Sequence, residues 1–271
     1  MNFFDSHNVL YPWPSILRRD KLEFLYKPRE VWWNSWINKL NLKKGLKVLE
    51  VGCGRGILLD RLTGKYGIKG TGIDIARDAI LEAKKESVYH SNLKFADAVN
   101  IPSENSAFDI VISFDTLEHI QNQKMAIEEM TRVLKPGGKL LIYTINSKQE
   151  FTWNHILSKL GVDVYSDVEH KPNLFVDSIW LKDNLIKSDI STLQMGYFDA
   201  FFTLIVDEII MILLKYLKIL FGWENTRRFA KMIIGFLSMI SKITTPLLIF
   251  FDTPWTFKGN SNSFIILGQK R

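Results

Sequence analysis

At 271 residues, 46% of them apolar, the chain can hold one full α/β domain plus an addition, and global disorder is excluded. A single cysteine, Cys53, excludes a disulfide framework and any metal site built from several thiolates. The net charge of +6 is uneven: residues 1–47 carry nine Lys/Arg against four Asp/Glu, residues 48–199 carry 17 against 21, and residues 200–271 carry nine against four. A slightly acidic middle thus lies between two basic ends, which attract anionic lipid or nucleic acid or are simply solvated.

The N-terminus, MNFFDSHNVLYPWP, lacks a basic start followed by an apolar run, so no secretory signal is expected. A cytoplasmic location, free or on a membrane surface, follows as the default. A helix is predicted over Arg29–Leu40, with Trp32, Trp33 and Trp36 clustered on it. From Gly45 the pattern turns βαβ-like. Lys47–Glu50 reads as a strand, Ile57–Thr63 as the start of a helix, Gly70–Asp74 as a second strand and Ala76–Ser87 as a helix. Leu93–Ala96 and Phe108–Ser113 are the third and fourth strands, the latter apolar on both faces as a central parallel strand should be. Met125–Leu134 is a helix stopped by Pro136-Gly137-Gly138, and Lys139–Thr144 is a fifth strand. Strands separated by helices in this way argue for an open, mostly parallel sheet covered on both faces. Asn146–Gly196 reads as loops plus a helix near Ser178–Lys187. Ala200–Phe251 is a long apolar stretch with two helical patterns, and Ser263–Gly268 is a last strand that returns to the sheet.

The chemistry concentrates in VLEVGCGRG, residues 48–56, where Gly52, Gly54 and Gly56 follow an apolar strand and open a helix. Glycines there let backbone N–H groups and a helix N-terminus approach a ligand, at the carboxyl edge where open α/β sheets bind. A tight turn would explain the same glycines. Asp74 ends the second strand, where a carboxylate can accept from two ribose hydroxyls. Asp97 follows the third, where it can accept from an adenine amino group. A helix cap is the alternative for either acid. No Gly-Lys-Ser/Thr closes the loop, so a nucleoside triphosphatase is excluded. The glycines are spaced two and two, not two and three as in dinucleotide loops.

In combination the strings VLEVGCGRG, GTGIDIA, FADAVNIP, FDIVISFDTLEHI and LKPGGKLLI resemble the class I S-adenosylmethionine-dependent methyltransferases, within them the ubiquinone and menaquinone biosynthesis group. The resemblance covers residues 45–145. It implies an α/β, doubly wound, mostly parallel seven-stranded sheet and S-adenosyl-L-methionine as cofactor. By the same resemblance Glu50, Gly52, Cys53, Gly54 and Gly56 would face the methionine part and ribose, and Asp74 the ribose hydroxyls. Ile75 would pack on adenine, Asp97 and Ala98 would read the adenine edge, and Ser113 and Phe114 would lie beside the methionine moiety. For an acceptor that must lose a proton, His119 and His170 are candidate bases, with a structural or capping role as the alternative for each. Asp115, Glu118 and His119 could share one helical face at i, i+3 and i+4. Some ubiquinone-pathway O-methyltransferases resemble this pattern and hold a divalent metal there; no metal is assigned here.

Residues 201–223 and 227–251 each read as an apolar helix with one polar stripe. Asp207, Glu208, Lys215 and Lys218 mark the first stripe. Arg227, Arg228, Lys231, Ser238, Lys242 and Thr245 mark the second. Aligned charges favour an amphipathic hairpin lying in a membrane interface over one spanning the bilayer. Covering the sheet or joining a dimer is the alternative. Four parts are therefore expected: a helical, aromatic and basic cap (1–44), the cofactor-binding core (45–199), the apolar helical insertion (200–255) and a last strand (256–271). The expected function is methyl transfer at a membrane surface to a lipid, a quinone or a lipid-linked sugar, with no nucleic-acid partner and a homo-oligomer open. A soluble oligomeric enzyme of a hydrophilic metabolite, or a non-catalytic binding protein, is the alternative.

Overall fold

A computed structural model describes residues 28–89, 91–161, 171–206 and 244–271, with side chains from residue 32 onward. Seven strands form one sheet in the order β3-β2-β1-β4-β5-β7-β6. Strand β1 (Lys47–Val51) exposes only Lys47, and β2 (Lys69–Asp74) and β3 (Asn92–Phe95) extend the sheet on one side of it in parallel. The chain then crosses to the other side with β4 (Phe108–Phe114), parallel to β1, and β5 (Leu134–Ile145), parallel to β4. This reversal of direction at β1 and β4 opens a crevice at their carboxyl ends. Strand β7 (Ser263–Lys270) inserts antiparallel between β5 and β6 (Ile190–Phe198).

Helices cover both faces because the strand residues alternate between two apolar clusters. On one face α1 (Pro28–Lys39), α2 (Ile57–Tyr66) and α3 (Arg77–Glu86) pack Trp36, Leu59 and Ile80 over Val48, Ile110, Ile112 and Tyr143. On the other, α4 (Gln123–Val133) and α6 (Ser178–Lys187) pack Ile127, Met130, Leu181 and Leu185 over Leu49, Val111 and Ile142. A short helix α5 (Trp153–Lys159) lies between β5 and α6.

The expected strands β1–β5 and β7 and the helix at Ser178–Lys187 are present, with ends shifted by a few residues at most for all but β5. Three elements differ in kind, the first being α5, a short helix where loops were expected. Strand β6 falls where loops were expected, because ISTLQMGYF is an edge strand that is largely half-exposed, with Leu193 facing solvent and a register shift between Thr192 and Gln194. Helix α4 stops at Val133, and Leu134 already pairs with Phe108 in the sheet. The Pro136-Gly137-Gly138 turn interrupts β5 and does not end the helix.

Of the apolar insertion, residues 202–206 and 244–256 are described and helical. The remainder, including Asp207, Lys215, Arg227 and Lys242, lies outside the described residues. The second helix, α7 (244–256), is inverted. It buries Thr245 and Asp252 against the protein and exposes Leu247, Phe250 and Phe251, followed by Phe257 at 88% exposure. The polar stripe expected to face water therefore turns inward at Thr245. Asp252 is 2% exposed and closes the entry to the insertion. Its carboxylate accepts from the N–H groups of Ala200, Phe201, Phe202 and Thr203 at 2.8–3.4 Å and from the Thr203 hydroxyl at 2.5 Å. Three N–H groups that a helix start leaves unpaired, those of residues 201–203, and the N–H of Ala200 before them thus find one buried carboxylate. Among the described residues no helix is long and apolar enough to cross a membrane.

Candidate cofactor and acceptor site

The glycine loop leaves β1 in a conformation closed to side chains. Gly52 has φ 74°, and a Cβ on it would stand 2.0 Å from Thr116 Oγ1. Thr116 cannot withdraw cheaply, since its single hydroxyl proton is shared between Phe114 O (2.8 Å) and, more weakly, Val51 O (3.3 Å). At Gly54 the same Cβ would meet nothing within 4 Å, so the loop is crowded behind Gly52 and open beside Gly54. Gly56, at φ 69°, starts α2 without a side-chain cap, leaving the helix N-terminus to a ligand.

Asp74 holds the loop to β2. Its carboxylate accepts from Gly54 N–H at 2.6 Å and from Ala76 N–H at 2.7 Å. Burial raises its pKa although both N–H groups work against this. A carboxylate oxygen can accept more than one hydrogen bond, so the group retains capacity for a further donor. Ile75, next in the chain, is 42% exposed, an apolar side chain available to a flat ligand. Asp97 is exposed; one oxygen accepts from Val99 N–H at 3.1 Å, shaping a turn beside half-buried Ala98.

Two buried polar atoms near the loop lack partners. Glu50 Oε2 on β1 and Ser113 Oγ on β4 are shut from solvent without a hydrogen bond. Such atoms are rare in folded proteins and fit a site completed by a ligand with polar groups. They lie on opposite faces of the sheet, since Val51 and not Glu50 is the partner of Ser113. Burial, then the neighbouring Asp74 charge, pushes the Glu50 carboxyl up to about 8, against an accepted backbone hydrogen bond and Arg61. Without ligand the folded protein keeps this proton up to about pH 8, whereas the unfolded chain loses it near 4.5. Wild-type stability therefore falls across that window as pH rises. Glu50→Gln should melt progressively higher than wild type between pH 5 and 8, and parallel melting curves would contradict the burial.

Cys53 does not join the open side of the loop. Its thiol packs against Gly72 in the core, its N–H donates to Ile73 O at 2.9 Å, and its carbonyl accepts from Gly56 N–H at 2.8 Å. Its N–H is spent on shaping the loop, and its carbonyl keeps a second lone pair.

Beyond β4, Asp115 adopts φ 47°, and only a single 3-10 turn, Leu117–His119, follows. The expected helical face of Asp115, Glu118 and His119 is therefore not formed. Glu118 is fully buried and accepts from the Thr144 hydroxyl at 2.8 Å. Among the described residues no group of three His, Cys, Asp or Glu is placed to hold a metal. His119 is half-buried in that turn, at the carboxyl edge of the sheet, while His170 lies outside the described residues.

An aromatic wall that the sequence did not announce borders this edge. Phe114 ends β4 and stacks with Tyr143 of β5 (5.8 Å between centroids), and Trp33 of α1 stands edge-on to both. Trp32 stacks on Phe198 of β6 at 4.6 Å. The tryptophan cluster was visible in the sequence; its partners, more than 80 residues away, were not.

Comparison with known proteins agrees with this arrangement. Residues 49–142 match the methyltransferase domain family. Over 110 residues the chain is 38% identical to phosphoethanolamine N-methyltransferase 1 of Zea mays, covering 40% of this chain and 22% of that protein. Over 122 residues it is 34% identical to demethylmenaquinone methyltransferase of Staphylococcus haemolyticus, covering 43% and 50%. The chain thus spans half or less of the length of these curated relatives. The fold is shared with a Galdieria sulphuraria protein assigned as a sarcosine dimethylglycine methyltransferase, at TM-score 0.60 and 15% identity over 88% of this chain and 84% of that one. It is also shared with Haemonchus contortus phosphoethanolamine N-methyltransferase 2 in complex with S-adenosyl-L-methionine, at 0.55 and 18% over 84% and 49%. The middle of the chain is therefore a class I, S-adenosylmethionine-dependent methyltransferase domain, resembling those of the ubiquinone and menaquinone pathway enzymes.

Proposed function

We propose that the chain as a whole methylates an apolar acceptor, namely a lipid, a quinone or a lipid-linked sugar, while resting on the cytoplasmic face of a membrane. The observation that carries the membrane part is the inverted helix α7, with Leu247, Phe250, Phe251 and Phe257 outward and Asp252 inward. Soluble surfaces seldom expose several aromatic side chains in one stripe. Basic residues accompany the stripe: Lys258 adjoins Phe257, and the last 72 residues carry nine Lys/Arg against four Asp/Glu. Apolar side chains flanked by cations suit the headgroup boundary of an anionic bilayer. The demethylmenaquinone methyltransferase among the relatives acts, by its name, on a quinone, which fits such a surface.

In the site, S-adenosylmethionine supplies a methyl group already made electrophilic by its sulfonium. The protein's contribution is alignment. Gly54 leaves room beside the loop, and Asp74 and Asp97 offer carboxylate oxygens to the nucleoside. Phe114, Tyr143 and Trp33 wall the carboxyl edge against water. His119, at the same edge, is the candidate to take a proton from a hydroxyl acceptor, a task that other acceptors do not require.

Vesicles of phosphatidylcholine with phosphatidylglycerol test the surface. Wild type is expected to float with them, and the triple variant Phe250→Ser, Phe251→Ser, Phe257→Ser to stay in the soluble fraction while keeping its cofactor affinity. Wild type that remains soluble as a stable dimer would refute the membrane reading and assign the stripe to a second copy.

A further inference from the structure

Trp33 brings to the carboxyl edge a polar atom that has no hydrogen-bond partner among the described residues. Its ring stands 5.0 Å from Phe114 and 4.9 Å from Tyr143, edge-on to each. Its indole nitrogen is shut from solvent and has no hydrogen-bond partner. An indole N–H can only donate, so it awaits an oxygen or another acceptor. Packing against two aromatic rings does not require that donor; a phenylalanine would serve. The opposite need lies on the same face of the sheet. Glu50 pairs with Ile112, and Phe114 is two residues further along β4, so Glu50 and Phe114 project from the same face of the sheet, the face that α1 covers. Glu50 Oε2 is likewise without a partner. One face thus carries a buried donor, Trp33 Nε1, and a buried carboxyl oxygen, Glu50 Oε2, that each lack a counterpart among the described residues. A ligand that satisfies both presents an acceptor oxygen and a hydrogen-bond donor together, as an α-amino acid group does with its carboxylate and ammonium.

We propose that the Trp33 indole N–H binds the carboxylate at the amino-acid end of the cofactor, with Glu50 facing its ammonium. This rests on the assignment of the glycine loop to S-adenosylmethionine, and adds to that site a residue from the N-terminal cap, outside the matched domain. A hydrogen bond between a neutral donor and a carboxylate is among the stronger ones, and Trp33→Phe removes it while keeping an aromatic ring.

The probes are S-adenosylhomocysteine and 5′-methylthioadenosine, which share nucleoside and thioether, the second lacking the amino-acid end. By calorimetry Trp33→Phe is expected to bind S-adenosylhomocysteine about 10-fold more weakly than wild type. It should bind 5′-methylthioadenosine as wild type does. In 15N-labelled wild type the Trp33 indole resonance should move downfield with S-adenosylhomocysteine and stay in place with 5′-methylthioadenosine. An unmoved resonance, or an equal loss of affinity for both ligands, overturns the proposal and leaves Trp33 a packing residue. Wild type that binds neither ligand refutes the loop assignment itself, a distinct failure. Should Trp33→Phe not fold, the wild-type resonance alone decides.

Discussion

Asp74→Ala is expected to weaken S-adenosylhomocysteine binding roughly 100-fold or more, the loss of two charge-assisted hydrogen bonds at about 1.5–3 kcal/mol each. The carboxylate acts twice. It holds the loop through Gly54 N–H and Ala76 N–H at 2.6 and 2.7 Å, and in the proposed site it also accepts from the ribose. Its raised pKa adds a pH signature: as pH falls, the wild type should lose affinity earlier than an ordinary aspartate would require, because the protonated acid accepts poorly. Calorimetry across pH checks both effects. A variant that folds normally and binds within a factor of about five of wild type would remove Asp74 from the site.

Asp252→Ala is expected to cost about 3 kcal/mol or more of stability, since it strands buried donors that have no other acceptor. For a chain of this size that is a fall in Tm of roughly 6–12 °C. The carboxylate serves the N–H groups of residues 200–203 and the Thr203 hydroxyl together. It thereby ties the entry of the apolar insertion to the helix that leaves it. Asp252→Asn, which keeps one acceptor oxygen, should fall between the two. Scanning calorimetry showing the alanine variant within about 1 °C of wild type would mean that the tie carries little weight.

The chemistry of the cofactor loop was legible because it is local. Gly52, Gly54 and Gly56 follow the apolar run of β1, and Asp74 ends the next strand, whose glycines and Ile73 lie a short helix away in sequence. Strand β6 was not legible, because an edge strand with Ser, Thr and Gln on it carries no apolar run and its place depends on β7, more than 60 residues later. The limits of the Asp115–His119 reading have the same origin. The spacing suggested one helical turn, but Asp115 adopts a left-handed backbone and Glu118 turns inward to Thr144 on β5. Thr116, which forbids a side chain at Gly52, and Asp252, which closes the insertion, gain their meaning only from contacts across the fold. Trp33 stood out as part of a cluster, yet its use became visible only with Phe114 and Tyr143 around it. In physical terms, sequence patterns report what a residue does to its own strand or turn. They are silent on which distant element it meets.

The most direct test of the account is transfer itself. Purified protein, methyl-labelled S-adenosylmethionine and a membrane lipid extract are incubated together and then partitioned between organic solvent and water. The account predicts label entering the organic phase with wild type and not with Asp74→Ala. Label confined to the aqueous phase, with a protein that still binds S-adenosylhomocysteine, would contradict the apolar acceptor.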